Sequence, residues 1–155
     1  MSKPAVAAHD TSKQRLRLWL RLLAATRATE AEIRERLRHE FATTLPRFDV
    51  MAAAFREPDG LTMTQLSRRL MVSNGNVTGI VDRLVKDGLI LRATEAHDRR
   101  AYRIALTAAG RVEFARMAAA HERWIGELLG GIDGAEASRL MATLDRLRAG
   151  KEAVS

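Results

Sequence analysis

Six residues between positions 73 and 86 have the chemistry to read a polar polymer: Ser73, Asn74, Asn76, Thr78, Arg83 and Lys86. All lie at exposed positions of one expected helix. Short amide and hydroxyl side chains near a helix N-terminus can hydrogen-bond base edges in a major groove. The first backbone amides and the helix dipole suit a phosphate. Ser73 has a second reading as a plain N-cap. Asn74 and Asn76 stand out because Asn is a poor helix former and needs another reason to be there. Arg68 and Arg69 precede this helix, and a phosphate contact from one of them, assigned to Arg68, competes with a solvated face. Downstream, Ala96-His97-Asp98-Arg99-Arg100 forms a charged turn. An ion pair within that turn is the alternative to a contact with a partner, and His97 reads as a solvated turn residue.

The elements that must hold these residues follow from periodicity. Residues 1–12 lack it and read as a flexible tail. From Lys13 to about Glu40, Leu16, Trp19, Leu20, Leu23, Ile33, Leu37 and Phe41 recur at three and four, which predicts a long amphipathic helix. Its apolar stripe needs cover, from a partner chain or from its own domain. A second helix is expected from about Thr44 to Phe55, with Pro46 tolerated near its start. Glu57-Pro58-Asp59-Gly60 then breaks the chain.

Thr62 with Gln65 reads as a capping box opening a short helix to about Leu70. Met71-Val72 interrupts it. The next helix runs from Asn74 to about Asp87, with Val77, Ile80, Val81 and Leu84 inward and Gly88 as its left-handed stop. Two short helices around a tight turn make a helix-turn-helix. Leu89–Arg92 and Ala101–Leu106 have strand character, with Tyr102, Ile104 and Leu106 alternating against Arg103 and Ala105. They are expected to pair as a two-stranded hairpin with a basic tip. Helices from Thr107 to about Leu129 and, after Asp133 and Glu136, to about Ala149 complete the chain.

The fold class is therefore mainly α with a small β-hairpin wing. A winged helix-turn-helix core at about 44–106 is flanked by helices at about 13–40 and 107–149, within a single domain over 13–155. At 155 residues there is no room for a second large catalytic domain. Apolar residues at 46% and charged residues at 29% fit a globular chain. Cysteine is absent, which removes disulfides, thiolate metal sites, cysteine nucleophiles and thiol redox sensing, and agrees with a cytoplasmic setting. The longest uncharged run, Leu70 to Val81, contains Ser, Asn, Gly and Thr, so no membrane span and no membrane partner are expected.

The formal charge is +7, and 22 of the 26 basic residues are Arg. Residues 61–106 carry eight basic and four acidic groups, whereas 107–155 carry seven of each. A basic middle beside a neutral end points to an acidic partner for the middle. Charge alone leaves nucleic acid and an Arg-rich solvated surface both open.

Three stretches resemble the MarR family of transcriptional regulators. The first is Leu66-Ser67-Arg68-Arg69-Leu70-Met71-Val72-Ser73, followed by Asn76-Val77-Thr78. The second is Val81-Asp82-Arg83-Leu84 leading to Asp87-Gly88-Leu89-Ile90. The third and most specific is Asp98-Arg99-Arg100-Ala101, then Ile104, Leu106-Thr107 and Gly110. The resemblance covers roughly residues 13–149. Its small departures are Gly75 and Gly79, each weakening the expected recognition helix by about 1 kcal/mol relative to Ala.

The resemblance implies a two-fold homodimer that reads a pseudo-palindromic double-stranded DNA operator, with half-sites about one turn apart. The two end regions would supply dimerisation, and the wing would reach a minor groove. In that role Arg100 is the inserted side chain, Arg99 lies beside it and Asp98 orients Arg100. Repression is the default, since a dimer over a promoter blocks polymerase.

Regulators of this kind commonly hold a small effector between dimer helices and winged helix. The sequence offers Trp19, His39, Phe41, Arg47 and Phe48 for it, with core packing as the alternative for the three aromatics. Arg47 beside Phe48 could hold a carboxylate or phosphate. The stretch from Phe41 to Val50 looks like regulators of aromatic-acid catabolism. The expected effector is therefore an aromatic acid or an aromatic acyl-coenzyme A, whose phosphates the arginines of the first helix could meet.

An enzyme is not expected: there is no Gly-x-Ser-x-Gly, phosphate loop or glycine-rich dinucleotide turn, and no cofactor is implied. His9, His39, His97 and His121 show no metal-ligand spacing, so no metal is expected. The competing class is a winged helix used as a protein-interaction module. An apolar recognition face would favour it, whereas Asn74, Asn76, Thr78 and the wing arginines favour DNA.

Overall fold

The computed structural model describes the backbone of residues 4–95 and 98–152, and the side chains of 11–73, 75–93 and 102–149 within it. In chain order the elements are α1 (Pro4–Phe41), α2 (Leu45–Phe55), β1 (Leu61–Thr62), α3 (Met63–Leu70), α4 (Asn74–Lys86), β2 (Ile90–Glu95), β3 (Asp98–Leu106), α5 (Ala108–Leu128) and α6 (Gly134–Glu152). The chain is mainly helical with a small antiparallel sheet. It divides into two compact units, residues 1–119 and 120–155.

In the first unit α1 is one 38-residue helix, and it starts at Pro4 rather than Lys13. Residues 4–12 are thus helical where a flexible tail is expected. Pro suits a first helical position, and Ala5, Ala7 and Ala8 favour helix without any apolar periodicity. The stripe on α1 has two fates. Ile33 and Leu37 are buried within the chain, whereas Leu16, Leu18, Trp19 and Leu20 are exposed. α1 ends on Ala42, whose φ of 48° is left-handed, with Ala42 N–H donating to the Arg38 carbonyl and Thr43 N–H to that of Leu37.

Thr44 caps α2, its hydroxyl accepting from the Arg47 amide at 3.4 Å. α2 is the central core helix, burying Val50, Met51, Ala53 and Ala54. Phe48 is also buried and packs on Phe114 at 5.5 Å between ring centroids, and Phe55 meets the same ring at 4.9 Å. The expected capping box forms: the Gln65 amide donates to Thr62 Oγ1 and the Thr62 amide to Gln65 Oε1.

The sheet has three strands in the order β1-β3-β2, one more than the expected hairpin. β1 is only two residues long and pairs Leu61 with Ile104 and Thr62 with Arg103. So short a strand has no alternation to read; its partner lies some forty residues away. Gly60 makes this approach possible, because its φ is +87° and a Cβ there would lie 3.1 Å from both Arg103 Cβ and the Ile104 carbonyl oxygen. β2 and β3 extend further toward the tip than Leu89–Arg92 and Ala101–Leu106.

Thr107 and Gly110 join β3 to α5. The Thr107 hydroxyl donates to the Gly88 carbonyl at 2.7 Å and accepts from the Gly110 amide at 2.9 Å. A Cβ at Gly110 would sit 2.0 Å from the Leu89 carbonyl oxygen. The Leu-Thr-x-x-Gly run is therefore a packing requirement: it seats the start of α5 against the turn that ends α4.

In the second unit the Asp133 carboxylate accepts from the Glu136 amide at 2.8 Å and opens α6. α6 leaves Leu140, Met141, Leu144 and Leu147 exposed, while Trp124 of α5 is buried. No described helix is long and apolar enough to cross a membrane. Among the described residues no group of His, Asp or Glu gathers in a form that could hold a metal ion.

Candidate nucleic-acid interface

The recognition element is built by two turns. α3 ends on Met71, whose φ of 53° is left-handed, and the Met71 and Val72 amides return to the carbonyls of Arg68 and Ser67. The tight turn Met71-Val72-Ser73 then launches α4. Its inner face, Val77, Val81 and Leu84, is buried. The left-handed Gly88 stops it, with the Leu89 amide donating to the Leu84 carbonyl.

The outer face is polar. Ser73, Asn76, Thr78, Arg83 and Lys86 are all exposed. Ser73 has N-cap backbone geometry, yet its side chain makes no capping hydrogen bond. The first amides of α4 are thus not closed off by their own cap. At Gly75 and Gly79 an added Cβ would meet open space, so the fold itself does not need these glycines. The side chain of Asn74 lies outside the described residues.

Of the two arginines on α3, Arg69 is paired with Glu57, whereas Arg68 is exposed with no ion pair among the described residues. The turn itself exposes Met71, at 91%, and Val72.

The wing is tied to α4 from below. Asp82 accepts from the Arg92 guanidinium, and that guanidinium also lies 4.7 Å from the Tyr102 ring centroid. One arginine on β2 therefore bridges α4 and β3. Near the tip Thr94 pairs with Tyr102 but Glu95 pairs with Asp98, so β3 carries Arg99, Arg100 and Ala101 where β2 has no intervening residue. Such a bulge bends a strand and re-aims its residues. The side chains of Asp98, Arg99 and Arg100, and all of Ala96 and His97, lie outside the described residues.

The five residues offered for an effector do not come together. Trp19 and Phe41 are on one helix, 22 residues apart, which at the α-helical rise separates them by about 33 Å. Trp19 is exposed, and Phe48 is in the core. Phe41 has the Arg116 guanidinium 5.9 Å from its ring. His39 is an exposed partner of Glu35, whose carboxyl is held below the usual range first by a hydrogen bond from Arg38. Arg47 is taken: its Nη2 donates to Asp87 Oδ2 at 2.6 Å.

A cavity of about 390 Å3 does exist elsewhere, between α2, the turn after α3 and one side of α4. Pro46 and Asp49 of α2, Leu70 and Val72 at the turn, and Asn76, Val77 and Ile80 of α4 line it. Asp49 was not singled out by sequence reasoning. Its one signal there is a lone carboxylate in the apolar run Phe48-Asp49-Val50-Met51-Ala52. Burial, and Glu30 after it, push its carboxyl above the ordinary value.

A helix-turn-helix with an exposed polar recognition helix, locked to a basic β wing, defines the winged-helix class. Residues 43–102 match the MarR family. The transcriptional activatory protein BadR of Rhodopseudomonas palustris is 30% identical over 145 aligned residues, covering 84% of this chain and 78% of that one. A MarR family transcriptional regulator from Silicibacter pomeroyi superposes with a TM-score of 0.78 at 34% identity, over 92% of this chain and 98% of that one. A MarR variant from E. coli in complex with operator DNA shares the fold, with a TM-score of 0.75 at 21% identity over 86% and 95% of the two chains. The chain belongs to the MarR family of transcriptional regulators.

Proposed function

We propose that this protein is a sequence-specific, ligand-responsive repressor that binds a pseudo-palindromic operator as a homodimer. The observation that carries the reading is the outer face of α4: Ser73, Asn76 and Thr78 are exposed at a helix start with no side-chain cap, and Asp82 and Arg92 hold that helix to the wing. In this reading Ser73, Asn74, Asn76 and Thr78 meet base edges, while Arg68, Arg83 and Lys86 meet phosphates. The wing residues Asp98, Arg99 and Arg100 serve the minor groove, Asp98 orienting Arg100. Gly75 and Gly79 leave room for the DNA backbone. The polar face favours DNA over a protein partner, and nothing in the family points to catalysis.

The core at about 44–106 is the reader, and the helices on either side supply the dimer. Exposed Leu16, Trp19 and Leu20 on α1, and Leu140, Met141, Leu144 and Leu147 on α6, are apolar surface for a second copy to cover. Such a regulator works where the chromosome is, in the cytoplasm. Activation is the second reading, favoured by the name of the Rhodopseudomonas relative. An effector that releases DNA completes the proposal. An aromatic acid or its coenzyme A thioester is the effector class that the likeness of Phe41–Val50 to regulators of aromatic-acid catabolism supports, although Arg47 is paired with Asp87 and does not present a free cation to it.

Nuclease footprinting on the DNA upstream of the protein's own gene tests the reading. Two protected half-sites about one helical turn apart are expected. Uniform protection without half-sites would refute sequence-specific reading. A promoter reporter separates the two directions: derepression on deleting the gene supports a repressor, and loss of expression supports an activator.

A further inference from the structure

The cavity between α2 and α4 carries a charge that selects its occupant. Its walls are Leu70, Val72, Val77 and Ile80, and Asp49 is the only charged residue among those lining it. Its volume of about 390 Å3 lies in the range of small-molecule sites. Asp49 is half-buried, with Glu30 close enough to raise its carboxyl further. Arg47, the only cation on α2, holds Asp87 at 2.6 Å. An anion entering here would meet the Asp49 carboxylate with no cation among the residues that line the cavity. A cation would meet opposite charge in a partly desolvated site, where attraction is stronger than in water.

We propose that this cavity takes a small organic cation with an apolar body, an arylalkylamine, its ammonium on the Asp49 carboxylate and its ring on Leu70, Val77 and Ile80. Asn76 lines the same cavity and stands at the start of α4, which the proposed function sets against the operator. Occupancy therefore competes with operator binding. The inference rests on the ligand-responsive reading for this consequence, but not for binding itself.

The test is an NMR titration of the isotope-labelled free protein with tryptamine, tryptophol and indole-3-propionate, which share a ring and differ in charge. Tryptamine is expected to shift the Val77 and Ile80 amides and to bind at least about tenfold tighter than indole-3-propionate, with tryptophol between. Asp49→Asn should bring the three within about twofold. Val72→Phe narrows the cavity at its exposed rim without changing charge and should weaken tryptamine about fivefold, so the test stands even if Asp49→Asn does not fold. Equal or tighter binding of indole-3-propionate overturns the proposal. So do tryptamine shifts confined to another part of the chain, or a preference unchanged in Asp49→Asn.

Operator anisotropy with and without tryptamine separates the two readings. Operator binding with no tryptamine in the cavity sinks the ligand class and leaves the DNA reading intact. Tryptamine in the cavity of a protein with no operator affinity supports the site and sinks the DNA reading.

Discussion

The Arg47 guanidinium meets the Asp87 carboxylate at 2.6 Å across forty residues of sequence, joining the first turn of α2 to the cap that ends α4. α2 is the core helix, so this pair anchors the far end of the recognition helix to the most buried element of the fold. The contact is partly screened, since the two side chains are 22% and 48% exposed. Its coupling energy is expected near the upper end for surface pairs, about 1 kcal/mol. A double-mutant cycle of Arg47→Ala and Asp87→Ala by urea denaturation measures it. Zero coupling would mean the pair does not position α4.

The Asp82–Arg92 pair holds the opposite side of α4, against the wing. Asp82→Asn leaves the hydrophobic contacts of Val81 and Leu84 in place, so the variant should fold with a Tm within a few degrees of wild type. Its operator affinity should drop by about tenfold, because the wing and α4 no longer keep a fixed spacing. Fluorescence anisotropy alongside thermal melts reads both. Unchanged affinity would show that the wing is positioned by the sheet alone.

Two backbone positions predict opposite effects. Ala42 holds a left-handed φ of 48° that costs an L-residue about 1–2 kcal/mol, so Ala42→Gly should stabilise by roughly that amount, less the entropy glycine loses on folding. Gly110→Ala places a Cβ 2.0 Å from the Leu89 carbonyl oxygen, which only a backbone shift relieves. About 1–3 kcal/mol of destabilisation is expected. Denaturant midpoints check both, and a neutral Gly110→Ala would contradict the close approach of α5 to the α4–β2 turn.

Asp49 links stability to pH. Burial first, and Glu30 second, raise its folded-state value above the ordinary 3.8 of a free aspartate. The folded protein thus binds this proton more readily than the unfolded chain, and stability falls as pH rises from 3.8 through the folded value. Above that window the cost is fully present. Asp49→Asn should therefore melt higher than wild type at neutral pH, with the gap closing as pH falls through the window. Identical melting at neutral pH would remove the burial cost, and with it the sign that a carboxylate is retained there at the expense of stability.

Local features were readable in the sequence because neighbours in sequence decide them. The Thr62–Gln65 box, the Gly88 stop and the alternation of Tyr102, Ile104 and Leu106 each involve a few adjacent residues. Long-range pairings were not. β1 exists only through Ile104 and Arg103, and Arg47 could not be known to belong to Asp87. The grouping of Trp19 with Phe41 failed because continuity of α1 separates residues that a bend would have brought together. Asp49 has little signal in the sequence, because a single carboxylate in an apolar helix carries no spacing to read; its meaning comes from α4, which lines the same cavity.

In the proposed function this chain reads DNA sequence through α4 and the wing. Fluorescence anisotropy of a duplex from upstream of its own gene, against a random duplex of equal length at two salt concentrations, tests it most directly. The upstream duplex is expected to bind tighter by about a thousandfold or more, both affinities falling as salt rises. Arg100→Ala should weaken the upstream duplex selectively. Equal binding of the two duplexes, or none at low salt, would contradict the claim.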